Sequence, residues 1–432
     1  MPYAAGSFLF PTSTGDFSVT GVGFEPQIVV MFGSNQAAED TLLTGLTGGA
    51  NGRPGIFYSY NARDYTTDGQ INSFCISAAG ASEAGGGQGF TRAKLPVRMQ
   101  DDTSASNIDY RANAITFDAD GFTITVTNAA PDDRPISWWA CGSDQVVWAS
   151  SLDDYSGTVA AAYDGGFPAR SIIALSGPAA GFGTEATSNA DSWLWEGGVH
   201  YPHTGLTLDD RWAAEAHTGL QAGTVLGDQG FTEVFATNGT TGNRLVRGLG
   251  SVGPALVDSV WVVEPTALHG SEPEFAIGGS LDTQALFAWT SAEGLSDGFE
   301  SPSVVGNTNS VSVPAWFDRW ELIMFATING DFAGTPNAEL RFGVGVLHPD
   351  YQGCAVFGDD GSFFQSRQYM AATCTSAAAR YASGEIQGAT YEVTTEAGGQ
   401  VSGIYHGFGP LEFGWVPQMY RWWPQKRGRG VR

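Results

Sequence analysis

Short apolar runs rich in Val, Ile and aromatic residues punctuate the chain, separated by Gly, Asn, Asp and Pro. Runs of this length, bounded by turn residues, predict strands rather than long amphipathic helices. Three of them open on Phe in the same way: Phe24-Glu-Pro-Gln-Ile-Val-Val-Met-Phe, Phe167-Pro-Ala-Arg-Ser-Ile-Ile-Ala-Leu and Phe317-Asp-Arg-Trp-Glu-Leu-Ile-Met-Phe. The apolar stretches Val29 to Phe32, Ile172 to Leu175 and Leu322 to Phe325 fall at the same offset and predict strands buried on both faces.

A second pattern follows each of these. It starts at Gly121 (GFTITVTNAAPDDRPISWWACGS), at Gly230 (GFTEVFATNGTTGNRLVRGLGS) and at Gly388 (GATYEVTTEAGGQVSGIYHGFGP). Alternating residues, a polar turn and a second alternating run predict a β-hairpin in each copy. Alternation puts Phe122, Ile124 and Val126 on one face and the threonines on the other. Because the opening Phe residues recur about every 145 positions, roughly one domain length, the chain reads as a triplication. The expected fold is all-β, with three tandem divergent β-sandwich domains of jelly-roll or lectin-like type. They are divided as 1–145, 146–265 and 266–432, the last with a basic, aromatic tail. One helix is expected, around Leu208 to His217, where Asp209 and Asp210 stand at the start.

Composition agrees with a turn-rich β protein. Only 15% of residues are charged, well under the usual quarter, and 59 glycines stand among the small residues that replace them. The 45 acidic and 20 basic residues leave a net charge of -25, which repels nucleic acid and anionic membranes. No run reaches the roughly 18 to 20 apolar residues of a membrane span. The opening MPYAAGSFLF lacks a secretory pattern, so delivery by particle assembly or lysis is expected. Lys94 and Lys426 are the only lysines, and positive charge gathers at the end in Arg421, Lys426, Arg427, Arg429 and Arg432. Such a tail either docks on an acidic neighbour or is solvated.

Chemistry is sparse. Nucleophile-elbow, phosphate-loop, zincin and EF-hand motifs are absent, so no catalytic residue, metal or cofactor is assigned. His200 and His203 with Asp209 or Asp210 are read as a polar turn, and Asp132, Asp133, Asp153 and Asp154 as turn carboxylates. Cys75, Cys141, Cys354 and Cys374 lack metal-ligand spacing and sit among apolar or small residues, as buried thiols do. Aromatic pairs carry more. Adjacent Trp138 and Trp139 must point to opposite faces of a strand. Interface burial is the expectation for them, with sugar stacking and packing within one domain as alternatives. Tyr420, Arg421, Trp422 and Trp423 have the composition of an interface anchor. Trp193, Trp195 and Tyr201 are candidate glycan contacts.

The run Ala114-Ile-Thr-Phe-Asp-Ala-Asp-Gly-Phe-Thr-Ile-Thr-Val-Thr, with Pro135-Ile-Ser-Trp-Trp-Ala-Cys-Gly, resembles the closing hairpin of many tailed-bacteriophage virion proteins. Upstream, Thr20-Gly-Val-Gly-Phe-Glu-Pro-Gln-Ile-Val-Val-Met-Phe-Gly is similar to their opening strand. The order of elements is also loosely similar to the H-type lectin sandwich. The resemblance covers the first 150 residues and reaches the other two copies only through their strand signatures. It implies a structural component of a virion, in the tail, baseplate or surface, with receptor binding as a further role. A capsid-decoration or head-fibre protein is one alternative, and a carbohydrate-binding protein or glycan depolymerase another. The expected partners are other virion proteins, further copies of the chain in a trimer or hexamer, and a host surface glycan. The expected location is the particle, assembled in the host cytoplasm.

Overall fold

The computed structural model describes residues 3–37, 55–64, 69–82, 86–100 and 108–142 almost throughout, together with mainly strand segments from 148 to 409. Every regular element described is a β-strand, and every strand ladder is antiparallel. Among the described residues no helix is long and apolar enough to cross a membrane.

The first eleven strands are β1 (Tyr3–Phe10), β2 (Gly15–Thr20), β3 (Ile28–Ser34), β4 (Leu43–Thr44), β5 (Gly55–Arg63), β6 (Ile71–Ser82), β7 (Gly86–Ala93), β8 (Val97–Gln100), β9 (Ile108–Asp118), β10 (Gly121–Asn128) and β11 (Arg134–Cys141). They form one sheet in the order β1-β11-β3-β5-β6-β7 and a second in the order β2-β10-β9-β8. The next eleven are β12 (Trp148–Tyr155), β13 (Val159–Ala162), β14 (Ser171–Pro178), β15 (Glu185–Ser188), β16 (Ser192–His200), β17 (Asp210–Gly219), β18 (Gln229–Ala236), β19 (Val246–Val252), β20 (Ala255–Ala267), β21 (Glu274–Gly279) and β22 (Thr283–Thr290). Their sheets run β12-β22-β14-β16-β17-β18 and β13-β21-β20-β19. The last nine are β23 (Glu293–Ser296), β24 (Thr308–Ser312), β25 (Leu322–Ile328), β26 (Arg341–His348), β27 (Tyr351–Asp359), β28 (Phe364–Tyr369), β29 (Ala382–Gln387), β30 (Thr390–Thr395) and β31 (Ser402–Gly409). These give β23-β31-β25-β26-β27-β28 and β24-β30-β29. Two short strands lie apart from this scheme. β15 extends the first sheet by pairing with β7, and β4 pairs with β28.

Burial follows the alternation of the sequence. On β10, Phe122, Ile124 and Val126 are buried, while Thr123 and Thr125 face outward and bond the carboxylates of Asp118 and Asp16, each at 2.7 Å. β3 is buried along its whole length. Val29 and Met31 join the core between the first two sheets, with Phe57, Val97, Met99, Tyr110, Phe122 and Trp138. Ile28, Val30 and Phe32 join a second core on the opposite face of the large sheet. That second core takes in Trp148, Ile173, Leu175, Leu286, Ala288, Val344, Val346 and Ala355, so strands from far along the chain cover the face.

Three expectations need correction. The segment from Gly121 is not a hairpin: β10 pairs with β2 and β9, whereas β11 pairs with β1 and β3, so the polar turn crosses between sheets. In the second pattern Gly230 lies in β18, the outermost strand of its sheet. The strand at that place in the first sheet is β7, which carries its own Gln88-Gly89-Phe90-Thr91. Where a helix is expected from Leu208 to His217, the described residues from Asp210 onward form strand β17, paired on one side with β16 and on the other with β18. Two ladders outweigh the weak local preference of its alanines. β12 and β14 pair with β22 across residue 265.

Gly121 opens β10 with φ at +153°, and a Cβ there would lie 2.0 Å from the Val19 carbonyl oxygen. Gly121→Ala is therefore expected to cost at least about 1–3 kcal/mol in backbone strain. A denaturant titration followed by tryptophan fluorescence checks this through a lower midpoint at unchanged slope.

Candidate functional site

Trp138 and Trp139 lie on opposite faces of β11, and both are buried. Trp138 packs edge-on to Phe122, ring centroids 5.6 Å apart, inside the first core. Gly6 on β1 makes room for it, since a Cβ at Gly6 would come within 2.9 Å of the indole ring. Trp139 sits on the other face, 6.1 Å from the ring of Trp148. It is thus covered by a strand that follows it in the chain.

Polar groups fix this covered face in register. The Trp148 backbone N–H donates to Gln27 Oε1 at 2.6 Å. Ser150 Oγ lies 3.0 Å from the Ala62 carbonyl and 2.8 Å from that of Arg63, sharing one proton between them. On the opposite flank Ser137 Oγ and Tyr351 Oη are 2.8 Å apart. Buried His348 belongs to the same seam: its Nδ1 accepts the Asp350 backbone N–H at 3.1 Å, and it is hydrogen-bonded to the backbone of Tyr3. Burial lowers its proton affinity below the ordinary histidine value, opposed by the exposed Asp350 carboxylate, 3.9 Å away, and by the Tyr3 bond.

A polar groove of about 510 Å³ opens beside that seam. Its walls come from the end of β5, the start of β6, the outer part of β9 and Leu152 of β12. Arg63 pairs with Glu25 on one wall and lies 5.9 Å above the Phe117 ring. Asn72 Nδ2 donates to Asp64 Oδ2 at 2.8 Å and reaches Ser150 Oγ at 3.2 Å, which directs its Oδ1 elsewhere. Asn113 is held the other way round, its Oδ1 accepting from Thr127 at 2.9 Å. Lys94, Gln70, Ser73 and Thr116 add to the polar lining, with Ile71, Ile115 and Leu152 in its apolar part.

Of the residues singled out in the sequence, Trp193 and Trp195 lie on β16, in the ladder with β17. Trp195 pairs with Ser176 of β14 as Phe57 pairs with Gly33 of β3. Tyr201, His203, Asp209, Tyr420, Arg421, Trp422 and Trp423 lie outside the described residues, whereas Asp133 is exposed. His200 and Asp210 are cross-strand partners. Asp132 is engaged structurally, its carboxylate 3.1 Å from Arg134 Nε, and buried Asp109 lies 3.3 Å from the same atom. Cys75, Cys141 and Cys354 are buried free thiols, and Cys374 lies outside the described residues. The groove was not foreseen. Its residues are scattered from position 25 to 152, and the only local signal is Lys94, one of two lysines in the chain. No protein-family model matches the chain, and no curated protein matches it.

His348 gives the seam a pH dependence. A lowered folded pKa means the unfolded chain takes up the proton first, near pH 6.5. Its contribution to stability is complete above that value and falls away as the pH drops toward the folded pKa. The midpoint of thermal unfolding should therefore fall more between pH 7.5 and 5.5 in the native chain than in His348→Gln. Equal slopes would mean that this side chain does not couple the seam to pH.

Proposed function

We propose that the chain is a structural component of a bacteriophage-like virion, in the tail, baseplate or outer surface, built from three tandem β-sandwiches that close on one another. The supporting observation is the order of strands. β1-β11-β3-β5-β6-β7, β12-β22-β14-β16-β17-β18 and β23-β31-β25-β26-β27-β28 follow one plan: first, last, third, then the next three in turn. The smaller sheets follow it too, as β2-β10-β9-β8, β13-β21-β20-β19 and β24-β30-β29.

The two short strands extend the pattern. β4 lies between the third and next main strands of the first unit, and β15 holds the same place in the second. Each leaves its own unit and pairs with the outermost strand of another: β15 with β7 of the first, β4 with β28 of the third. Both steps run in the same sense, second to first and first to third. Repeated head-to-tail contacts of this kind close a ring when the rotation matches, here a pseudo-threefold ring within one chain. They also cover sheet edges that would otherwise invite foreign strands. Such a unit suits a place on a three- or six-fold axis of a particle, beside other virion proteins. Receptor binding is the accessory role, favoured by the open polar groove.

Two measurements test this. Directly opposed residues of a ladder lie within disulfide reach. Cysteine pairs at Thr91 and Thr187, and at Thr44 and Gln365, should each close within one chain on mild oxidation. They should give a faster-migrating single-chain band and no covalent dimer. Mass spectrometry of particles from the organism that carries the gene should find the chain in stoichiometric ratio to the other virion proteins. Its absence from purified particles would sink the virion assignment, and cross-links only between chains would sink the ring.

A further inference from the structure

We infer that the groove beside Arg63 is a binding site for an acidic sugar unit, a pyranose carrying a carboxylate. This deepens the receptor-binding part of the reading above by naming a ligand class and the residues that take it.

Size comes first. At about 510 Å³ the groove is in the range of small-ligand sites and has room for a ring or two of sugar. Charge comes next. The protein carries a net charge of -25, yet this groove gathers Arg63 and Lys94 against Glu25, the one carboxylate among its described lining residues. Glu25 is engaged with Arg63 and orients it. An incoming carboxylate thus meets two cations on a body that otherwise repels anions.

The amides then argue for hydroxyl groups on the same ligand. Asn72 is held by its NH₂ end through Asp64 and Ser150, leaving its carbonyl oxygen as an acceptor. Asn113 is held by its carbonyl oxygen through Thr127, leaving its NH₂ end as a donor. A sugar hydroxyl both donates and accepts, and a groove with one amide fixed each way matches it. Phe117, Ile115 and Leu152 offer an apolar wall for the C–H face of the ring. A plain inorganic anion would use the cations and leave the amides and this wall idle.

The test is a ligand-observed NMR titration of the full chain with glucuronate, glucose and acetate. Glucuronate should bind at least about tenfold more tightly than either of the others, a difference of about 1.4 kcal/mol. Lys94→Gln should abolish the preference for glucuronate over glucose, and Asn113→Ala should weaken both sugars while sparing the charge preference. Added salt should weaken glucuronate and leave glucose unchanged, which reads the same electrostatics without any substitution. Equal binding of acetate and glucuronate, equal binding of glucose and glucuronate, or no binding of any of them would each overturn the proposal. Because the titration uses the isolated chain, its failure leaves the particle assignment standing, and absence from particles leaves the sugar site standing.

Discussion

The large sheet β1-β11-β3-β5-β6-β7 is apolar on both faces, and the rest of the structure answers to that. Antiparallel sheets commonly keep one face wet, with polar side chains alternating along each strand. Here Val29 and Met31 face one way and Ile28, Val30 and Phe32 the other, while Trp138 and Trp139 divide in the same manner. The smaller sheet β2-β10-β9-β8 covers one face only. Exposing Tyr3, Val30, Phe32, Ile56, Tyr58, Ile76 and Trp139 would cost about 1.5–3 kcal/mol for each large side chain. Summed over the set, that equals or exceeds the net stability of an ordinary domain, about 5–15 kcal/mol. A single sandwich of this sequence therefore needs a partner surface. The chain supplies one from its own later strands through Trp148, Ile173, Leu175, Leu286 and Val346.

Apolar contact gives the seam its strength, and neutral hydrogen bonds give it one register. Gln27 on Trp148, Ser150 on the carbonyls of Ala62 and Arg63, and Ser137 with Tyr351 each add modest net energy. Leaving any one of these buried groups unpaired costs more, so a slipped arrangement is penalised several times over. The buried ion pair of the first unit lies elsewhere, between Arg134 and Asp109, where the chain passes from one sheet to the other. Its charges pin the crossing rather than the seam.

Much of this was legible in the sequence, and the failures have a common cause. Two-faced burial of β3 follows from an apolar run bounded by turn residues, and inward Phe122, Ile124 and Val126 follow from alternation. Alternation states which residues share a face but not which sheet a strand joins. For that reason β10 and β11 looked like a hairpin, although they belong to opposite layers. The tripeptide Gly-Phe-Thr begins at Gly89, Gly121 and Gly230, and composition alone cannot say which two correspond. Strand order pairs Gly230 with Gly89. At β17 the local signal favoured helix, and ladders on both sides overrode it. The groove was invisible because no short window contains it. Glu25, Arg63, Lys94 and Asn113 meet only once β5, β6, β9 and β12 are brought together.

Edge protection links the fold to its outward chemistry. A six-stranded sheet ends in an unpaired row of backbone donors and acceptors, and β7 and β28 are such ends. Their sequences, Gly86-Gly-Gln-Gly-Phe-Thr-Arg-Ala and Phe364-Gln-Ser-Arg-Gln-Tyr, carry polar side chains but no proline to block pairing. Short strands from neighbouring units take up those positions instead. Once the apolar faces and these edges are occupied internally, little sticky surface remains on the first unit, where Leu9 is the one large hydrophobic residue left exposed among those described. The features that the first unit presents outward are then polar, at its loop ends. The groove is such a feature: it lies where the β5–β6 turn meets β9 and β12, beside the same Ser150 and Asn72 that hold the seam. The proposed ligand site and the seam thus share residues, so a substitution in one is felt by the other.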